Sequence, residues 1–196
     1  RKENVQEHLR RYPYRRVEVA DLSIPGSHER FGEFDIIYCY GTRYHLQDPV
    51  LCLTDLSKIC KELFLLETIV YPEDNGELNL VEEDKNIKNQ SFSGTGCRPS
   101  RNWLLNELGK YFPYVYLSVT QPDHPDFPLV WPARKDRNDR AIFVASRKEL
   151  NLNTLIEELI YQQEPFIEAK SKNIDSNLEG ILFDDFRVFI DTRATK

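Results

Sequence analysis

Two short apolar runs, each ending in polar residues, constrain this chain more than anything else in it. Residues 34–45 read FDIIYCYGTRYH, and residues 62–68 read ELFLLET. The near-continuous apolar character of 35–40 predicts a strand buried on both faces, as occurs where helices cover a parallel sheet. This run stops at Gly41 and opens onto a polar loop that carries Tyr44 and His45. In an open α/β sheet, ligands sit beyond the carboxyl ends of the strands, so chemistry is expected at that loop. A second buried strand is expected over 62–70.

The segments around these runs alternate in kind. Asp48 followed by Pro49 is a helix cap with proline at the first helical position. Val50, Leu53, Leu56 and Ile59 then recur at helical spacing. Further helices are expected over 4–11, stopped by Tyr12 and Pro13, and over 98–111, with Trp103, Leu104, Leu105 and Leu108 as its apolar stripe. Strands are expected over 16–21 (RVEVAD), 114–120 and 140–146. This order predicts an α/β fold with a largely parallel sheet and covering helices. The last two strands are joined without a helix and are expected to be antiparallel neighbours.

Residues 71–96 and 121–139 read as long loops. Loops of that length in a compact domain are usually functional, and both are expected to flank a binding site. From residue 150 the chain reads as an extension: an amphipathic stretch over 154–162, a polar linker over 164–180 and a β-prone segment over 181–191. The expected units are therefore 1–149 and 150–196.

Composition excludes several classes. A chain of 196 residues, 40% hydrophobic and 30% charged, can bury a sizeable core. No apolar run reaches membrane-spanning length, and RKENVQEHLRRYP is too polar for a signal peptide, so a cytoplasmic protein without membrane partners is expected. Cys39, Cys52, Cys60 and Cys97 form no Cys-x-x-Cys pair. Buried free thiols in a reducing compartment, and no metal site, are expected. The net charge of −6 weighs against a dedicated nucleic-acid surface. The charge is uneven: residues 1–16 carry six basic and two acidic residues, and residues 72–88 carry six acidic and two basic.

The blocks VEVADL, FDIIYCYGTRYHLQDP, ELFLLET, SGTGCRPSRNWL, YVYLSVTQPDHPDFPLVW and RAIFVASR together resemble the class I S-adenosylmethionine-dependent methyltransferases. The resemblance covers roughly residues 1–148. Within that superfamily it is similar to the tRNA wobble-uridine carboxymethyltransferases and to methyltransferases of sugar and natural-product clusters. It implies a Rossmann-like sheet with an antiparallel last strand and S-adenosyl-L-methionine as cofactor. It also implies that Asp21, with Leu22 beside it, meets the adenine, and that Tyr40 and Gly41 pass the methionine end. The family's glycine-rich loop and its first two strands have no counterpart in these residues. Either the chain is an amino-terminally shortened part of such a domain, which is the preferred expectation, or the sheet is filled in another way.

The candidate site residues each have a structural alternative. His45 has the pKa range of a base for an alcohol acceptor, but a histidine there also suits a helix cap. Glu67, ending the second strand, is placed to orient an acceptor and needs a partner if buried. Arg98 and Arg101 are the candidate partners of Glu67 and suit recognition of carboxylate or phosphate, or are ordinary residues of a helix start. Tyr44, His124 and Trp131 are candidates for holding the acceptor, the latter two from a proline-stiffened loop whose aromatics can also simply pack. Three functions follow: a methyltransferase acting on a hydroxyl of a small molecule or sugar, an RNA-modifying transferase of the wobble-uridine type, and a non-catalytic methyltransferase-like binding module.

Overall fold

A computed structural model describes residues 2–14, 17–87, 90–133, 138–166 and 188–190. The chain opens with helix α1 (Lys2–Arg11), where Glu7 pairs with Arg10 and Arg11 one turn on. Strand β1 (Phe34–Tyr40) leads through a single 3-10 turn, Arg43–His45, into helix α2 (Pro49–Ile59). The Asp48 carboxylate accepts from the Leu51 amide at 2.9 Å, which is the cap that the Asp-Pro pair predicts. Strand β2 (Cys60–Ile69) follows, and a small hairpin of β3 (Leu80–Glu82) and β4 (Thr95–Cys97) lies within and just after the stretch read as a loop. Helix α3 (Arg101–Leu108) starts three residues later than expected because Ser100 caps it, accepting from the Trp103 amide.

Strands β5 (Tyr114–Ser118) and β6 (Thr120–Gln121) come next, then β7 (Arg140–Ser146), β8 (Leu155–Ile156), β9 (Glu164–Pro165) and β10 (Val188–Ile190). The main sheet has the order β10-β1-β2-β7-β5-β8. Parallel pairing joins β10 to β1 and β1 to β2, whereas β7 runs antiparallel to both of its neighbours. The expected antiparallel pair of β5 and β7 is present, and β5 consequently runs the same way as β1 and β2.

The core lies where α2 and α3 cover this sheet. Ile37 and Cys39 of β1, Phe64 and Leu66 of β2, Leu53 and Leu56 of α2, Leu104 and Leu108 of α3, and Phe143 of β7 are all buried in one cluster. Strand β1 is buried on one face only. Ile37 and Cys39 turn inward while Ile36, Tyr38 and Tyr40 remain half-buried, so the expectation of two covered faces does not hold for it. Strand β2 is the more completely buried of the two.

Residues 17–21 form no strand. A period-two pattern needs a ladder partner to become a strand, since backbone groups must be paired. The outer edge of β1 is taken by β10 instead, through the register Ile36 to Val188 and Tyr38 to Ile190. Residue 16 of that predicted strand, and 181–187 and 191 of the β-prone segment, lie outside the described residues. The stretch after residue 150 is also tied in: β8 extends the main sheet beside β5, and β9 pairs with β6. No helix among the described residues is long and apolar enough to cross a membrane.

Candidate functional site

Strands β1 and β2 end side by side, with Tyr40 opposite Glu67. Gly41 follows at φ 68°, a left-handed backbone that favours glycine and lets the chain turn sharply at the strand end. Its amide donates to Glu67 Oε2 at 2.9 Å, so the second strand's carboxylate holds the first strand's exit. Arg140, at the start of β7, donates to the other oxygen of Glu67 and, through Nη2, to the Tyr44 hydroxyl at 3.1 Å. Glu67 is 1% exposed and Arg140 20% exposed, so the carboxylate faces inward and the guanidinium outward. Burial pushes the Glu67 carboxyl up, against the pull of Arg140 and the Gly41 amide.

A second charged group adjoins the first through Tyr44. Its ring has the Arg140 guanidinium on it at 5.4 Å and that of Arg98 at 5.5 Å, and it packs on the His45 ring at 4.3 Å. His45 Nδ1 lies 2.7 Å from Glu83 Oε2, and Arg98 Nη2 donates to Glu83 Oε1 at 3.0 Å. The Ser91 amide also donates to Glu83. Burial opposes ionisation of Glu83, but these bonds outweigh it and hold the carboxyl below its ordinary range. Gly96 makes this approach possible: a Cβ there would come within 2.6 Å of both Glu83 Oε1 and the Tyr44 carbonyl oxygen.

Gly41, Tyr44, His45, Glu67 and Arg98 are thus brought together at one rim. Tyr40 stands at the same strand end, opposite Glu67, whereas Arg101, Trp131, His124, Asp21 and Leu22 do not join this group. Arg101 is 0% exposed and spends its donors on Asp74 and the Ile160 carbonyl. Trp131 lies buried beneath the Arg101 guanidinium and donates to Gln163. His124 is exposed and accepts from the Asp126 amide, while Asp126 itself approaches Arg140 at 3.6 Å, so the 121–139 loop reaches the rim one step removed from His124. Asp21 is exposed, its carboxylate accepting from the Ser23 amide, and Leu22 packs in the core. Tyr40 is half-buried and stacks on Tyr38 at 5.1 Å.

Sequence reading missed Arg140 and Glu83. Arg140 opens a strand that had been read only for its apolar residues, and Glu83 was one of six acidic residues in a loop. A buried Glu67 demands a cation, but the partner is Arg140 at a neighbouring strand's end and not Arg98 or Arg101, which bond Glu83 and Asp74. A groove of about 370 Å³ between α3 and residues 157–159, lined by Asn102, Leu105 and Phe112 among others, shares no residue with the rim. Among the described residues, no group of three or more His, Cys, Asp or Glu side chains is arranged to hold a metal ion.

No family model matches the chain. Over 81 residues it is 31% identical to an uncharacterized methyltransferase of Schizosaccharomyces pombe, a match that spans 37% of this chain and 29% of that protein. The N-terminal domain of EvdMO1, crystallised with SAH bound, superposes with a TM-score of 0.51 at 17% identity over 67% of this chain and 53% of that one. The same domain in the presence of SAH and D-fucose gives 0.57, again at 17% identity, over 76% of this chain and 64% of that one. The match therefore spans under a third of the yeast relative, and the chain covers between a half and two thirds of the solved domain. The fold of this chain is that of the solved domain, a Rossmann-like α/β sheet with an antiparallel strand near its end.

Proposed function

We propose that this chain carries the acceptor-side part of a methyltransferase that uses S-adenosyl-L-methionine and methylates a hydroxyl of a small molecule or sugar. The observation that carries the reading is the His45–Glu83 pair, 2.7 Å apart at the strand-end rim of a methyltransferase sheet. The yeast relative's name and the SAH of the solved neighbour support the reaction class, and the D-fucose present with that neighbour supports a sugar acceptor.

The residues present fit part of such a cofactor. Tyr40, stacked on Tyr38 and half-buried, offers an aromatic face suited to a sulfonium cation. Gly41 provides the sharp exit from β1, and Asp21 an exposed carboxylate for a nucleoside, while Leu22 contributes packing alone. The cofactor supplies an activated methyl group; the chain's own residues prepare the acceptor. A carboxylate at Nδ1 selects the tautomer with its proton there, which makes Nε2 the basic nitrogen. His45 then takes the hydroxyl proton as the oxygen attacks, with Glu83 stabilising the imidazolium that forms. Glu67 keeps the β1 exit in place through Gly41, and Arg98 fixes Glu83.

His45→Ala is expected to lower methyl transfer to a panel of deoxyhexoses by about 10²- to 10⁴-fold while leaving cofactor affinity by calorimetry unchanged. Full turnover in the variant would return His45 to a structural role. A cationic Arg98 and Arg140 at the rim also admit phosphate, which is the feature that favours the RNA-modifying alternative. Transfer to RNA with none to sugars would select it, and an absence of cofactor binding would select the non-catalytic module.

A further inference from the structure

One nitrogen of Arg140 makes no hydrogen bond among the described residues. Nη1 is spent on Glu67 and Nη2 on the Tyr44 hydroxyl, whereas Nε faces Asp126 Oδ2 at 3.6 Å, too far for a hydrogen bond. Asp126 is unspent in the same way. Its carboxylate accepts no hydrogen bond among the described residues, and its other neighbour, His124 Nδ1, stands 3.8 Å from the same oxygen. Both side chains are open to solvent, Asp126 47% exposed and Arg140 20%. The backbone, and not the carboxylate, holds Asp126 in place. Its carbonyl accepts from the Arg140 amide at 2.7 Å, its amide donates to His124, and Phe127 beside it is buried. The Asp126 charge is felt at the rim, where it adds to the upward push on the Glu67 carboxyl.

We propose that Asp126 and Arg140 Nε form a receptor for two adjacent hydroxyls of an uncharged sugar, which makes Asp126 a specificity-determining residue of the rim. The inference rests on the sugar-acceptor reading above and adds the group that chooses among sugars. A guanidinium nitrogen only donates and a carboxylate only accepts. A hydroxyl does both, so it completes the pair by accepting from Nε and donating to Oδ2. An ionised carboxylate or a phosphate dianion has no proton to donate, and an ammonium has no lone pair to accept with. The second oxygen of Asp126 then takes the neighbouring hydroxyl of the same molecule. Charge points the same way. Arg140 and Arg98 already face Glu67 and Glu83, so Asp126 adds a third carboxylate against two guanidinium groups, which disfavours an anionic ligand.

The test is an NMR titration of the wild-type chain, Asp126→Asn and Asp123→Asn. The probes are methyl glycosides of fucose and rhamnose, their 3-deoxy analogues, in which no two hydroxyls are adjacent, and the 1-phosphates of the same sugars. Wild type is expected to bind the glycosides about tenfold or more tighter than the 3-deoxy analogues, and tighter than the phosphates. Asp126→Asn, which keeps the size and loses the charge and one acceptor, is expected to bind the glycosides about tenfold or more weaker and to lose the bias against the phosphates. Asp123→Asn, exposed on the same loop, is expected to match wild type throughout. Equal glycoside affinity in wild type and Asp126→Asn, a wild-type preference for the phosphates, or no glycoside binding to wild type each overturns the proposal. Calorimetry with S-adenosylhomocysteine separates the two readings. If it does not bind while the Asp126-dependent preference holds, the methyl-transfer reading falls and the sugar receptor stands; if it binds and the preference is absent, the reverse holds.

Discussion

Arg101 and Arg140 have the same chemistry and opposite employment. Each bonds a carboxylate and lies on an aromatic ring. Arg101 is wholly buried and ties together Asp74, Trp131 and the Ile160 carbonyl, three segments far apart in the chain. Arg140 is 20% exposed and sits where β1, β2 and β7 end together, between Glu67 and the Tyr44 hydroxyl. A buried cation each of whose three nitrogens donates to the protein holds the fold, whereas a part-exposed pair at a strand end can meet a ligand. Residue type does not separate the two; solvent access and spent donors do.

The largest expected effect breaks the first member of this pair. Arg101→Ala leaves Asp74 without its cation and is expected to cost about 3–5 kcal/mol in urea unfolding, with ligand affinity of the folded protein unchanged. A small stability loss accompanied by lost binding would make Arg101 a site residue after all. A smaller effect strikes the rim. In Gly96→Ala the new methyl meets Glu83 and the Tyr44 carbonyl, at an expected cost of about 1–3 kcal/mol. The His45 ring signals should shift in NMR as Glu83 moves, and unmoved signals would show the rim to be slack.

The smallest effect is confined to acid. The folded Glu83 carboxyl lies below its ordinary range, so its contribution is complete above the unfolded value of about 4.3 and is lost as pH falls through the folded value. Denaturation of Glu83→Gln followed between pH 7 and pH 3 should show a flatter acid limb than wild type. Parallel limbs would mean that the bonds to His45, Ser91 and Arg98 contribute nothing net.

The rim was legible in part because β1 and β2 announce themselves. An apolar run stopped by Gly41, with Tyr44 and His45 beyond it, marks a strand end on an α/β sheet, and Glu67 follows from the second run. The expectations for Arg101, His124 and Trp131 rested on residue type and loop position, and neither reports where a side chain's donors go. Arg140 stood 73 residues from Glu67 and Glu83 stood 38 from His45, distances that no local pattern spans.

Local chemistry by itself determined the elements whose signals are self-contained: the Asp48–Pro49 start of α2, the apolar runs of β1 and β2, and the α/β class that follows from a helix set between them. Tertiary structure alone decided what needs a partner. The alternating residues 17–21 stayed irregular while Val188–Ile190 paired with β1, because a strand exists only where another backbone completes its hydrogen bonds. Likewise a charged side chain becomes a fastener or a site according to which distant groups surround it, since the cost of burying a charge is met by its neighbours in space and not by those in sequence.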